Sequence, residues 1–377
     1  MKFGIFFELS VPRPWDRESE RTVYERALEQ TRLADELGFD QVWAVEHHFL
    51  EEYSHCPAPE IFLTACAMQT KKIRLGHGIV VCVPQINHPV RIAERAAVLD
   101  IISGGRLEMG TGRSATWTEL GGFGASPDDT KKTWDEFVRC LPKMWTQERF
   151  SHKGTAFSMP PRAIIPKPYQ KPHPPMWVAV TSPGTEIDGA DRGLGWLGLT
   201  FGGLEEQEKR IAEYRRRIKV CEPVGEIVND QVNTVNFLYC HQDDETGVNV
   251  GRRLQGTFGY MAAQLLSARE AYPTPSYPAL GLLPQLRPDG DSPSDSVRVP
   301  EGLCIGNPDR IIEAVKKWES AGADRVNFLL NAMEVVPQSA VLASLRLFAK
   351  EVMPKFRESA KSRKTAAVKA AVLASGS

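Results

Sequence analysis

The sequence predicts an α/β fold, a (β/α)8 TIM barrel with insertions, one of them a loop between strands 7 and 8. Short apolar runs alternate with longer segments of helical periodicity along most of the chain, which is the βα alternation of a parallel sheet. Eight strand candidates are legible, nearly all followed by a helix candidate. Eight such units favour a closed barrel over an open sheet, and 377 residues suit a barrel with insertions.

The first strand is "KFGIFFE". It leads into "TVYERALEQTRLADELG", where Val23, Ala27, Leu28, Thr31 and Ala34 share one helical face and Gly38 marks the stop. The alternation continues with "QVWAVE", the helix "APEIFLTACAMQT", the strand "IRLGHGIVVCV" and the helix "HPVRIAERAAVLDII". The strand "RLEM" precedes a helix over about 130–145, and the strand "MWVAV" precedes a short helix from about Pro183. "GWLGLT", the helix "EEQEKRIAEYRRRIKV", "QVNTVNFLYC" and "RVNFLL" follow, with "SAVLASLRLFAKEV" after the last strand.

Two stretches break the rhythm. Residues 150–175 are rich in Pro and Lys with little periodicity, and residues 272–300 hold many Pro, Gly, Asp and Ser. A structureless insertion of such length is usually functional or disordered, and the second lies where a lid over the barrel mouth is expected. Residues 1–357 are read as one barrel domain. The Ala/Lys/Ser-rich residues 358–377 are read as a disordered tail.

Composition narrows the partners. With 46 basic and 47 acidic residues the net charge is -1, which provides no electrostatic footprint for nucleic acid or an anionic membrane. A small organic molecule is the expected partner. The 7 cysteines are scattered without a CxxC pair or zinc spacing, as in a reducing compartment, and no metal site is expected. "MKFGIFFELSVP" has only a short apolar run broken by Glu8, and no stretch approaches a membrane span, so a cytoplasmic protein is expected.

"LEMGTGRSA" raises the question of a dinucleotide turn, because Gly110, Gly112 and Ala115 stand at the right spacing after a strand. A Rossmann turn must open a helix directly, and the glycines and Pro127 of "TWTELGGFGASPDDT" prevent a helix from starting at Gly112. The residues still suit an anion. Gly110 and Gly112 permit close backbone approach, and Arg113 can meet a phosphate with two donors. After the next strand, Thr181, Ser182 and Thr185 surround a Pro-Gly turn into a helix, a second anion-binding element. Either loop alone reads more often as a mere helix cap or a surface Arg, whereas two adjacent loops of complementary chemistry favour a ligand.

A second constellation is "VWAVEHHF", which sets Glu46, His47 and His48 at the end of the second strand, where barrel enzymes place their chemistry. A neutral imidazole there can act as a base near neutral pH, while one of two consecutive histidines is expected to pack outward. The HExxH spacing of a zinc site is absent.

Taken in order, these segments resemble the bacterial luciferase-like family of flavin-dependent monooxygenases. The resemblance runs through "MKFGIFFEL", "GFDQVWAVEHHFLEEYSHCPAPE", "IRLGHGIVV", "HPVRIAERAAVLDIISGGRLEMGTGRS" and "WVAVTSP", and resumes at "GNPDRIIEAVKKWESAGADRVNFLL". It implies a two-component enzyme whose barrel mouth binds reduced FMN (FMNH2) delivered by a separate NAD(P)H-dependent flavin reductase. Oxygen then gives a C4a-(hydro)peroxyflavin that oxygenates an apolar small organic substrate, shielded from water.

By the same resemblance, Arg113 and Gly112 belong to the FMN-phosphate site, Thr181, Ser182 and Thr185 form its second loop, and His47 assists flavin oxygenation. The strand containing Gly78 passes beneath the isoalloxazine, and Gly78–Ile79 is the candidate for a non-prolyl cis bond, a feature that costs about 3 kcal/mol. His55 and Trp117 are candidate pocket residues, and Trp15 hints at an aromatic or extended apolar ligand. The luciferase subunits carry an acidic residue where Thr181 stands, and residues 83–87 are longer than theirs, so light emission is not implied. A homodimer is the family's usual state, with helices 58–70 and 88–102 as candidate interface.

Two alternatives share the barrel. The deazaflavin F420-dependent reductases or dehydrogenases transfer a hydride and form no oxygen adduct, and non-catalytic flavin-binding relatives have lost the chemistry. The EHHF segment and its continuation resemble the FMN enzymes more, and the intact His47 and Arg113 argue against a non-catalytic relative.

Overall fold

The computed structural model describes residues 1–114, 116–199, 203–266 and 301–357, with backbone alone at 199 and 263–266. Eight parallel strands close into a barrel: β1 (Lys2–Phe7), β2 (Gln41–Ala44), β3 (Arg74–His77), β4 (Leu107–Gly112), β5 (Met176–Ala179), β6 (Gly195–Leu199), β7 (Val232–Cys240) and β8 (Arg325–Leu329). Each pairs with the next, and β8 returns to β1 through Lys2↔Arg325 to Phe6↔Leu329. All eight coincide with the apolar runs of the sequence. Strands covered by helices outside and filled side chains inside are buried on both faces, which is why they read as continuous apolar runs.

The helices are α1 (Ser19–Leu37), α2 (Pro59–Gln69), α3 (Pro89–Ile102), α4 (Trp117–Gly122), α5 (Thr130–Thr146), α6 (Thr185–Asp191), α7 (Leu204–Ile218), α8 (Asp244–Leu266), α9 (Pro308–Ser320) and α10 (Gln338–Leu347). Their ends follow local chemistry. Gly38 takes φ 84° to end α1, which buries Val23, Ala27, Thr31 and Ala34. Pro89 opens α3 behind His88, and Asn307 caps α9 by accepting from Arg310 N at 2.9 Å.

Inside the barrel, the end at which the strands begin is closed by a polar network rather than by aliphatic layers alone. Arg325 donates to Gln41 Oε1 at 2.6 Å and to Glu108 Oε1 at 3.3 Å, Gln41 donates to Asn327 Oδ1 at 2.8 Å, and Trp177 Nε1 donates to Glu108 Oε2 at 2.7 Å. Because each carboxylate oxygen is met by a donor, the charge is tolerated in a dry interior. This floor leaves the opposite, C-terminal end for chemistry.

Three readings need amendment. Residues 150–175 are not without structure: Phe150–Lys153 and Ser158–Arg162 form an antiparallel hairpin, hidden in the sequence by Pro160 and Pro161 on an edge strand. Between β7 and β8 stand α8 and α9, which the alternation count had passed over. The Gly78–Ile79 bond is trans, the cis bonds of the described residues all preceding proline. Here Gly76 pairs Glu108 and Val80 pairs Thr111, so His77, Gly78 and Ile79 face only Met109 and Gly110. The extra residue is taken up as a bulge with no need for a costly cis amide. The expected lid at 272–300 and the tail at 358–377 lie outside the described residues.

Candidate active site

The C-terminal ends of β1, β2 and β4 bring together side chains far apart in sequence. His47 follows β2, and its Nδ1 lies 2.9 Å from Glu119 Oε1 on α4. Glu119 is fully buried and also accepts from the His48 amide at 3.1 Å, Ser114 Oγ at 2.9 Å and Thr116 Oγ1 at 2.9 Å. With both oxygens satisfied, the carboxylate is held ionised: burial works against its charge, but His47 and the hydroxyls outweigh it and keep its pKa below the usual range.

The same pair sets the imidazole. Burial alone would lower the His47 pKa, but the charge and hydrogen bond of Glu119, with Glu8 and Glu46 beyond, raise it to about 9. These carboxylates favour the imidazolium form of His47 over the neutral base that the sequence suggests. Its Nε2 faces Glu8 Oε2 at 3.6 Å. Its ring meets Tyr53 edge-on at 5.6 Å, Tyr53 lies 5.3 Å from Phe258, and Phe258 lies 5.4 Å from Phe237, an aromatic wall supplied by the β2 exit, β7 and α8.

His48 turns the other way, as neighbouring residues must. Its Nε2 reaches Glu46 Oε1 at 3.1 Å, and its ring packs on Phe123 at 5.0 Å. Glu46 in turn accepts from Val81 N at 2.8 Å and Asn87 Nδ2 at 2.7 Å, tying the β2 exit to the segment after β3.

The bulge of β3 opens the way to the anion loops. A Cβ at Gly110 would stand 1.9 Å from the His77 carbonyl oxygen, and one at Gly112 would stand 2.6 Å from the Ile79 side chain, so both glycines permit the close strand approach. Gly78 packs against Phe6 and Ala44, its N–H donating to Ala44 O. His77 is buried with no hydrogen-bond partner for Nδ1 among the described residues, and burial holds its pKa down at about 3, which favours the neutral ring.

Arg113 follows β4 directly, and Thr181 and Ser182 follow the neighbouring β5 by two and three residues, so pairing of these strands sets the two loops side by side. Thr181 is exposed and Ser182 and Thr185 are partly so. Thr185 opens α6 behind Gly184, which takes φ 90°. Glu186, in the first turn of α6, is engaged by Arg210 at 2.7 Å, and Arg210 also donates to Ser182 O at 3.1 Å. A guanidinium and three hydroxyls form a donor set of the kind that fits a phosphate monoester, with the charge of Glu186 offset by Arg210.

The remaining candidates lie elsewhere. His55 has its ring against Trp15 at 5.3 Å and Glu20 at 3.6 Å, and Trp15 is itself covered by Arg13. Trp117 starts α4 and is partly buried on the core beside Gly121. Glu119 and Glu8 were missed as site residues. For Glu119 the signal was present: Thr116-Trp117-Thr118-Glu119 spells a capping box, and Thr116 does cap α4, accepting from Glu119 N at 3.2 Å. No His, Cys, Asp or Glu cluster among the described residues is arranged to hold a metal, and none of their helices is long and apolar enough to cross a membrane.

Known proteins resemble the chain along most of its length. The chain is 26% identical to the flavin-dependent trigonelline monooxygenase, oxygenase component, of Acinetobacter baylyi, over 98% of this chain and 99% of that protein. It is 23% identical to the F420-dependent glucose-6-phosphate dehydrogenase of Amycolatopsis mediterranei, over 88% of this chain and 94% of that one. Among solved structures, the monooxygenase RslO1 from Streptomyces bottropensis superposes with a TM-score of 0.77 at 25% identity, covering 94% of this chain and all of the other. Residues 1–325 match the model of the luciferase-like monooxygenases, and the chain belongs to that family.

Proposed function

We propose that the protein is the oxygenase component of a two-component, FMN-dependent monooxygenase acting on an apolar small organic molecule. The observation that carries this reading is the His47 ring held at 2.9 Å by buried Glu119 at one strand exit of a luciferase-like barrel whose other exits carry Arg113 and the Thr181 loop. Reduced FMN, when bound, supplies the oxygen-activating chemistry.

This chain's residues supply the rest. Arg113, Thr181, Ser182 and Thr185 anchor the FMN phosphate, and Gly112 and Gly78 let the strands beneath the ring pack closely. His47 Nε2 presents a positive N–H donor to the reacting oxygen and gives up or recovers its proton there. Tyr53, Phe237 and Phe258 exclude water and receive apolar surface.

The relative described as an oxygenase component supports a separate NAD(P)H-dependent flavin reductase as partner. A homodimer is supported by exposed apolar side chains on α2 and α3: Ile61 and Met68 are 71% and 73% exposed, and Val98, Ile101 and Ile102 between 42% and 44%. The F420-dependent relative keeps hydride transfer with F420 as the second reading. Anaerobic titration with reduced FMN and with reduced F420 distinguishes them: tighter binding of FMN, weakened by Arg113→Ala, is expected, and preference for F420 overturns the reading.

A further inference from the structure

Glu8 stands one residue beyond the end of β1, and its carboxyl is only half committed. Oε1 takes a long hydrogen bond of 3.4 Å from the Tyr53 hydroxyl. Oε2 is buried, has no hydrogen-bond partner among the described residues, and faces His47 Nε2 at 3.6 Å. Leaving such an oxygen unmatched is costly, so a group of this kind in a native fold calls for a cause.

Glu8 is also one of the residues lining a cavity of about 20 Å³, together with Phe6, Phe7, Ser10, Gln30 and Glu334 among others. That volume suits one water, and Ser10, Gln30 and Glu334 are polar groups in its mixed lining. On the far side Glu334 pairs with Arg26 at 2.5 Å, and the Arg26 side chain is 38% exposed. Glu8 beside His47, the cavity it lines and the Arg26–Glu334 pair at the surface thus stand together between β1, α1 and the loop after β8.

We propose that Glu8 exchanges the Nε2 proton of His47 with solvent through this cavity, as a positioning residue for the proton chemistry of His47. The proposal rests on the reading of His47 as the group that serves oxygen chemistry. Transfer from the imidazolium Nε2 to Glu8 Oε2 leaves a neutral imidazole and a neutral acid. The acid then passes the proton to a water in the cavity, and no electron changes hands.

The surroundings suit this exchange. Burial pushes the Glu8 carboxyl up to about 7 against the opposing pull of His47, so it holds and releases a proton close to neutrality. The titratable and charged groups around it are His47, Tyr53 and Cys56 after β2, Glu119 on α4, Glu46 at the β2 exit, and Arg26 and Glu334 across the cavity. Burial and the Glu8 charge keep Tyr53 and Cys56 protonated, so neither competes for the proton.

The test uses the flavin-free full chain. Difference infrared titration of the wild type should show a carboxylic-acid C=O signal with a midpoint near pH 7, lost in Glu8→Gln, retained in Glu334→Gln and displaced in Glu8→Asp. The His47 ring, followed by NMR, should titrate at lower pH in Glu8→Gln. An infrared titration or a His47 midpoint unchanged by Glu8→Gln overturns the proposal, and if that variant does not fold, the displacement in Glu8→Asp decides. With reduced FMN and oxygen, Glu8→Gln should slow the His47-dependent step about tenfold and shift its pH profile, with partial rescue by Asp. If His47→Ala leaves that step unaltered, the functional reading fails, whereas the infrared and NMR results judge Glu8 independently.

Discussion

Glu119 and His47 are 72 positions apart in sequence, yet Oε1 of one lies 2.9 Å from Nδ1 of the other. The pairing fixes which imidazole nitrogen is left for chemistry. Nδ1–H is committed to the carboxylate, so Nε2 is the nitrogen available to the site.

Removing the carboxylate should therefore cost both stability and charge. Glu119→Ala is expected to destabilise the fold by about 3 kcal/mol, because it leaves buried His47, Ser114 and Thr116 donors unmatched. Chemical denaturation measures the first effect. NMR of the His47 ring measures the second, a titration midpoint displaced to lower pH in Glu119→Gln.

The pH dependence of stability has a defined sign. The folded pKa of His47, about 9, lies above its ordinary 6.5, so its contribution is complete below pH 6.5 and is lost as pH rises through about 9. Glu119 is shifted the other way, and its contribution is present above pH 4.5 and lost as pH falls through its lowered value. Thermal melts should show the stability advantage of wild type over His47→Gln shrinking between pH 6.5 and 9.

The two glycines of β4 should differ. At Gly110 an added methyl meets the His77 carbonyl oxygen at 1.9 Å, and backbone in a closed barrel cannot yield easily; at Gly112 it meets the Ile79 side chain, which can turn. Gly110→Ala is expected to cost about 3 kcal/mol and Gly112→Ala about 1 kcal/mol. Urea melts of the two variants provide the comparison.

Arg113→Ala should weaken reduced FMN while leaving riboflavin binding nearly unchanged, because the guanidinium is assigned to the phosphate. Loss of a charge-assisted contact of about 2 kcal/mol corresponds to roughly 30-fold in Kd. Anaerobic fluorescence titration with the two ligands measures it.

The barrel was legible because its strands are buried on both faces and its helices carry one apolar face, so "KFGIFFE" and "RVNFLL" declare themselves without any tertiary knowledge. The His47 position was legible for a related reason, since strand ends are visible and chemistry collects there. Glu119 and Glu8 were not, because what makes each a site residue is contact with a ring on another strand exit. Glu119 sits in a six-residue helix masked by flanking glycines, and Glu8 reads as a mere interruption of an apolar run. The expected cis bond failed because sequence does not reveal the register offset between β3 and β4 that the bulge absorbs.

The most direct test of the oxygenase reading is stopped-flow mixing of the protein and anaerobically reduced FMN with oxygenated buffer, following flavin absorbance in wild type and His47→Ala. The account predicts a persisting absorbance distinct from reduced and oxidised FMN before oxidised flavin returns, shortened or lost in the variant. Reoxidation of both proteins' flavin at the rate of free reduced FMN contradicts it.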